Sequence, residues 1–148
     1  MHVEHQERWL EQYRFEKYLL DLCILTLERG GVTANVLTRQ LLPPVDAWCV
    51  PRYPEKTRIL PPGSDMMPAL RAFVEQHQAA LASPGIWLGT WIHPLTRCCH
   101  LDITELYAGL DEARREALKR SRVLALYNCK HNQTVYLQAE PSPAVEWH

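Results

Sequence analysis

Six side chains suited to metal or thiol chemistry fall in two short stretches: His93, Cys98, Cys99 and His100 in the first, Cys129 and His131 in the second. Zinc binds cysteine sulfur and histidine nitrogen in tetrahedral sets, so a sheet that brought both stretches to one end would offer His93, Cys98, His100, Cys129 and His131 as donors. Two features weigh against this. The usual C-x-x-C pair is missing, and neighbouring strand residues such as Cys98 and Cys99 point to opposite faces. Cys98, in phase with His100, is then the one that could join a site. No cofactor is expected, with zinc as the alternative. The enzymatic version is a small metal- or cysteine-dependent hydrolase using the region of His93, Cys99 and His131. A cysteine nucleophile needs a histidine within hydrogen-bond reach, and Cys129 with His131 or Cys99 with His93 are the candidate pairs. Asp102 lies in phase with His100 but near no nucleophile. It is expected to pin a turn at Ile103-Thr104 through an Asx-type bond.

Arg114, Arg115, Lys119, Arg120 and Arg122 form the one basic run. A helix face of this kind is usually solvated, and it also suits the C-terminal end of the helix dipole. As a single-stranded nucleic-acid site, centred on Arg114, Arg115, Lys119 and Arg122, it would need aromatic platforms beside it. Trp87, Trp91 and Tyr127 are the candidates. The net charge of −1, from 16 basic and 17 acidic side chains, gives no electrostatic case for duplex DNA. There is no Walker loop and no G-x-G-x-x-G. What remains is the aromatic content, with five tryptophans and six tyrosines. Aromatic side chains are enriched at binding hot spots. The reading that follows is a non-enzymatic interaction protein that binds a protein partner through Trp87, Trp91, Tyr127 and Trp9. A homo-oligomer is one form it could take.

The 148 residues make one domain by size, long enough to bury a core without disulfides or metals. Five cysteines, an odd number without small-scaffold spacing, argue against a disulfide framework. The polar start reads as no secretory signal, and no apolar run reaches the ~20 residues that span a bilayer. A cytoplasmic protein with reduced thiols and no membrane partner is expected.

The elements that must position these residues follow from periodicity. Residues 4–29 read as a long helix, with Leu10, Tyr13, Tyr18, Leu20, Cys23, Ile24 and Leu27 at helical spacing. Its second half is apolar nearly all round and is expected to be buried on more than one side. Gly30 and Gly31 end it. Residues 32–36 read as a short strand. Residues 46–50 and 57–60 read as two strands paired with each other across a proline-containing turn. Ser64 or Asp65 caps a second helix running to about Ala82, with His77 at the edge of its core face. Residues 86–93 form a strand that is apolar on both faces, turning at residues 94–97 into a return strand from Cys98 to Asp102. Asp111 caps a short helix whose inner positions are Ala113, Ala117 and Leu118. Residues 123–127 and 134–137 form a last hairpin. A loose tail covers residues 141–148 unless Trp147 docks. Helices combined with hairpins imply an α+β fold: one domain over residues 1–140, a mainly antiparallel or mixed sheet with helices packed on it, and residues 1–30 as an added N-terminal helix.

The order of these pieces resembles a family of small uncharacterised proteins carried on bacterial phages, plasmids and integrated elements. The matching residues are Gly31 and Thr33, Tyr53-Pro54, Gly89 and Trp91, Pro94 and Thr96, then Leu101-Asp102-Ile103-Thr104. Asp111, Ala113, Ala117 and Ala125-Leu126-Tyr127 complete the pattern over residues 31–137. The resemblance implies an accessory protein of a mobile element and no particular chemistry. This chain departs from the pattern at three places. His93 replaces an acidic residue before the turn proline, Arg97 replaces a glycine that would take a left-handed conformation, and Asn128 replaces an aspartate.

Overall fold

The longest strand, β5 (Cys99–Tyr107), is the axis of the computed structural model, which describes residues 2–120 and 122–137. Preceding it are helix α1 (His2–Arg29), strands β1 (Gly31–Ala34), β2 (Trp48–Pro51) and β3 (Arg58–Leu60), helices α2 (Met66–Gln76) and α3 (Gln78–Leu81), and strand β4 (Trp87–Ile92). Helix α4 (Leu110–Leu118) and the hairpin β6 (Ala125–Asn128) and β7 (Gln133–Tyr136) follow. All pairings are antiparallel, in the order β1-β4-β5-β2-β6-β7, with β3 also on β5. The chain is therefore an α+β domain with a long N-terminal helix. The expected tail and Trp147 lie outside the described residues.

The expected pairing of the second and third strands with each other does not form. Both lie on the same edge of β5: Pro51 opposite Thr104, and Arg58 opposite Leu101. Pro51 has no N–H to offer, and a 3-10 turn at Pro54–Lys56 offsets the chain without reversing it. The result is one interrupted strand with a large bulge, a device that re-aims side chains.

Alternation along β5 assigns the two faces of the sheet. Cys99, Leu101 and Ile103 pack with Leu60, Leu88 and the inner residues of α1 and α2. Further along the same face, Trp48, Val50 and Leu126 pack on α4. Ala113 and Ala117 let α4 sit close, whereas Leu118, expected inside, is exposed. Gly109, not Asp111, is the N-cap; Asp111 lies in the first turn, where its charge suits the helix dipole.

Helix α2 starts as expected, with Asp65 accepting a hydrogen bond from the Met67 amide at 3.2 Å. It ends early at His77, whose half-buried ring meets Phe73 edge-on at 4.7 Å. Helix α1 docks through Tyr18, Leu19, Leu22 and Cys23. Burying each leucine there stabilises the fold by roughly 1.5–3 kcal/mol. Thr26 fixes the same face to β4, its hydroxyl 2.6 Å from that of Thr90. The second half of α1 is not buried all round: Leu20, Ile24 and Leu27 face outward, because the sheet covers only one side of the helix.

Candidate functional site

The other face of the sheet is concave. Trp87, Gly89 and Trp91 of β4 point into it, with His100, Asp102 and Thr104 of β5, Cys49 of β2 and Tyr127 of β6 across the ladder. The curl is strong enough that β1 and β2, with two strands between them in the sheet order, touch through Thr33 Oγ1 and Cys49 Sγ at 3.8 Å. This encloses a cavity of about 810 Å³. Trp91, Tyr127 and Pro94 contribute to its walls, Arg29 stands among its lining residues, and Cys49, Cys129, Asp102, Thr33 and Thr104 bring polar groups to it.

Gly89 makes the cavity feasible. It sits between Thr33 and Asp102 in the ladder, and a Cβ there would collide with Thr104 Oγ1. Beside it, Asp102 is mid-strand and not at a turn, which corrects the Asx expectation. Its carboxylate accepts a hydrogen bond from Thr57, the residue the bulge delivers. Burial raises the Asp102 carboxyl from 3.8 to about 6, with the Thr57 bond opposing.

Two sulfurs share the cavity. Cys49 Sγ and Cys129 Sγ lie 3.1 Å apart. Cys129 follows β6 diagonally from Cys49, which pairs with Tyr127. One thiol donating to the other favours a single shared proton. The hydrogen bond from Cys49 pulls the Cys129 thiol down, and the same bond, with burial, pushes Cys49 up. Tyr127 donates from its hydroxyl to Asn132 Oδ1 at 2.6 Å, which fixes the ring beside them.

The histidines form a wall with aromatic partners. Trp91 lies 4.9 Å from His93 and 5.3 Å from His100, and His93 lies 6.0 Å from Tyr136. His93 Nδ1 accepts from the amides of Leu95 and Thr96 at 3.1 and 3.4 Å. It thus serves as the acceptor that closes the turn. Arg97 does take the left-handed conformation, with φ of 66°. Asn128 accepts from the amides of Lys130 and His131 and so caps the last hairpin. Burial, then His93, lowers His100 to about 4, so it is neutral at physiological pH.

The remaining expected site residues scatter. Cys99 faces the helices, on the opposite side of the sheet from Trp91 and His100, and burial pushes its thiol up to about 11. His131 lies out at Asp46, its Nε2 3.8 Å from the carboxylate. Cys98 is buried next to the turn. Among the described residues, no group of three or more His, Cys, Asp or Glu side chains could hold a metal ion. Arg114, Arg115, Lys119 and Arg122 are exposed around α4, on the opposite sheet face from Trp91 and Tyr127. Arg120 instead turns inward to Glu105 Oε1 at 2.6 Å and the Pro51 carbonyl at 3.0 Å. Trp9 is exposed on α1, remote in sequence and face from Trp87, Trp91 and Tyr127. No helix among the described residues is long and apolar enough to cross a membrane.

Cys49, Thr57 and the depth of Asp102 were missed from the sequence. Asp102 had a signal: it is the one charged residue in the stretch 98–104. Cys49 had none, because its partner depends on a strand pairing across 80 residues. Comparison of the chain with family models, curated proteins and solved structures yields no match.

Proposed function

We propose that the protein is a non-enzymatic binding module whose ligand enters the concave face of the sheet. The observation that carries this reading is the cavity of about 810 Å³, a size typical of small-ligand sites, which run to roughly 300–1,000 Å³. Its chemistry selects the ligand class: an apolar ring between Trp91 and Tyr127, and a cationic or hydrogen-bond-donating group directed at Asp102. An amine fits both demands. Its charge favours the ionised carboxylate that burial otherwise disfavours, so affinity for amines rises as pH rises toward 6 and levels off above it. This keeps the aromatic binding role expected from Trp91 and Tyr127, with a small ligand in place of a protein surface, while Trp87 falls outside the cavity lining. The resemblance to accessory proteins of mobile elements is compatible with a binding role.

Tryptophan fluorescence titrations with small aromatic amines and the matching aromatic carboxylates test the proposal. Amines should bind, and both Trp91→Ala and Asp102→Asn should weaken them about tenfold or more, the ~1.4 kcal/mol of a single good contact. A preference for carboxylates, or amine binding indifferent to both substitutions, would overturn it.

A further inference from the structure

The outer face of α1 carries a second pattern. Val3, Leu10, Lys17 and Ile24 recur every seven residues, and so do Gln6, Tyr13, Leu20 and Leu27, three places later. These are the a and d positions of a heptad seam. The residues that dock α1 on the sheet, Tyr18, Leu19, Leu22, Cys23 and Thr26, occupy b, c, f and g positions centred on the other side. The seam is exposed throughout, with Tyr13 at 72% and Leu27 at 68%. Residues 3–14 are exposed all round, with Glu11 reaching Arg39. Three turns of helix standing in water gain little stability by themselves, since isolated helices shorter than ~12–15 residues are marginal.

We infer that α1 pairs with α1 of a second copy of this chain, antiparallel, as a two-stranded coiled coil. Three features select that occupant. The first is the division of the seam: Val3, Leu10 and Tyr13 lie on the projecting half, and Leu20, Ile24 and Leu27 on the docked half. Antiparallel pairing lays each projecting half on the other copy's docked half, with Val3 opposite Leu27, Leu10 opposite Leu20, and Tyr13 opposite Lys17. The second is charge. Arg14 and Asp21 flank the seam at e positions, where a two-fold axis brings Arg14 of one copy beside Asp21 of the other, in exchange for the 3.0 Å pair that Asp21 makes with Lys17 on its own helix. Glu7 and Glu28 fall at the open ends, where salt screens them. The third is area. Val3, Leu10, Tyr13, Leu20, Ile24 and Leu27 are each between 44% and 72% exposed, with Trp9 at 65% alongside, and the strip runs the length of the helix, where a standard interface buries ~800 Å² per partner. The seam faces away from the sheet, so the two domains lie on opposite outer sides of the pair.

Native mass spectrometry and sedimentation of the full chain test this. The expected species is a dimer. Leu20→Glu with Ile24→Glu, both on the exposed side of a docked segment, should raise the dissociation constant ~100-fold or more by placing unpaired charge in the seam. The thermal transition of the resulting monomer reports that its fold is kept. Arg14→Glu should weaken the dimer, and adding Asp21→Arg should restore it. For orientation, Leu10→Cys mixed with Leu20→Cys should cross-link between copies, whereas Leu10→Cys alone should not. A monomer at all concentrations, a dimer indifferent to the seam charges, or Leu10→Cys cross-linking to itself would each overturn the inference.

Discussion

The concave cavity and the outer seam of α1 present similar groups, aromatic and aliphatic carbon beside a few charges, but they are assembled differently. Six strands contribute to the cavity, and its residues come from sequence positions as far apart as Thr33 and Thr134. The seam is one helix in which each residue's place follows from the one seven before it. The cavity residues are half-buried and bonded to one another; the seam residues stand in solvent. The difference teaches that a site made by curling a sheet is rigid and buried at its floor, so its groups acquire shifted acidities. A site made on a helix face is chemically ordinary until something covers it.

Neighbours on α1 give the largest expected contrast. Leu19 is fully buried against the sheet, and Leu20 is 49% exposed on the seam. Leu19→Ala should cost ~2–5 kcal/mol of unfolding free energy in urea titrations, the range for large-to-small core substitutions. Leu20→Ala should change the stability of the monomer by less than ~0.5 kcal/mol while loosening the dimer. Equal effects at the two positions would erase the distinction between the faces of the helix. The next contrast lies at the cavity floor. Gly89→Ala places a Cβ against Thr104 Oγ1 and should destabilise the fold by ~1–3 kcal/mol, the usual cost of overpacking. Thr104→Ala added to it should restore part of that loss, a coupling that a double-mutant cycle measures.

The helix spans were legible in the sequence because period places them, but the docked face of α1 was not: Leu10, Tyr13, Leu20, Ile24 and Leu27, at helical spacing, are exposed, and Tyr18, Leu19, Leu22 and Cys23 dock instead. The strand faces of residues 86–92 were legible from their period: Leu88, Thr90 and Ile92 do point away from Trp87, Gly89 and Trp91. The cavity was not. It depends on which strands pair, and the β2–β6 contact that joins Cys49 to Cys129 is non-local. The bulge that carries Thr57 to Asp102 looked like an ordinary turn, since prolines at positions 51 and 54 mark both equally well. His93 looked like a ligand or a base because its residue type permits both. Its local role, accepting two turn amides, appears only when the backbone closes around it.

Asp102 and His100 lie two residues apart on the same face of β5, and their linkage to pH has opposite sign. Asp102 rises from 3.8 to about 6 in the folded protein, so it holds its proton longer than in the unfolded chain. Its contribution to stability is full below pH ~4 and is lost as pH rises through about 6. His100 falls from 6.5 to about 4, so it resists a proton that the unfolded chain accepts. Its contribution is full above pH ~6.5 and is lost as pH falls toward 4. Each shift is worth on the order of 3 kcal/mol, at about 1.4 kcal/mol per pKa unit. The two contributions therefore oppose each other between pH 4 and 6.5. Asp102→Asn should make stability rise with pH across that window, and His100→Gln should make it fall. Seam substitutions such as Leu20→Glu should leave this profile in place, because the Asp102 carboxyl and the His100 imidazole lie on the other side of the sheet.

The smallest effect is a rate and not a stability. Cys49 donating to Cys129 favours the thiolate on Cys129, whereas burial holds Cys23 and Cys99 in the thiol form. Alkylation by iodoacetamide near pH 8, read by peptide mass mapping, should therefore label Cys129 ahead of the other four cysteines, since the thiolate is the reactive form. Cys49→Ala removes the donor and should slow Cys129 severalfold. An aromatic amine in the cavity should protect Cys129, and Leu20→Glu with Ile24→Glu should not alter its rate. If the seam substitutions did change that rate, the two regions would be coupled through the sheet. Thr26 and Thr90, which tie α1 to β4 at the back of the cavity, would then be the first contact to examine.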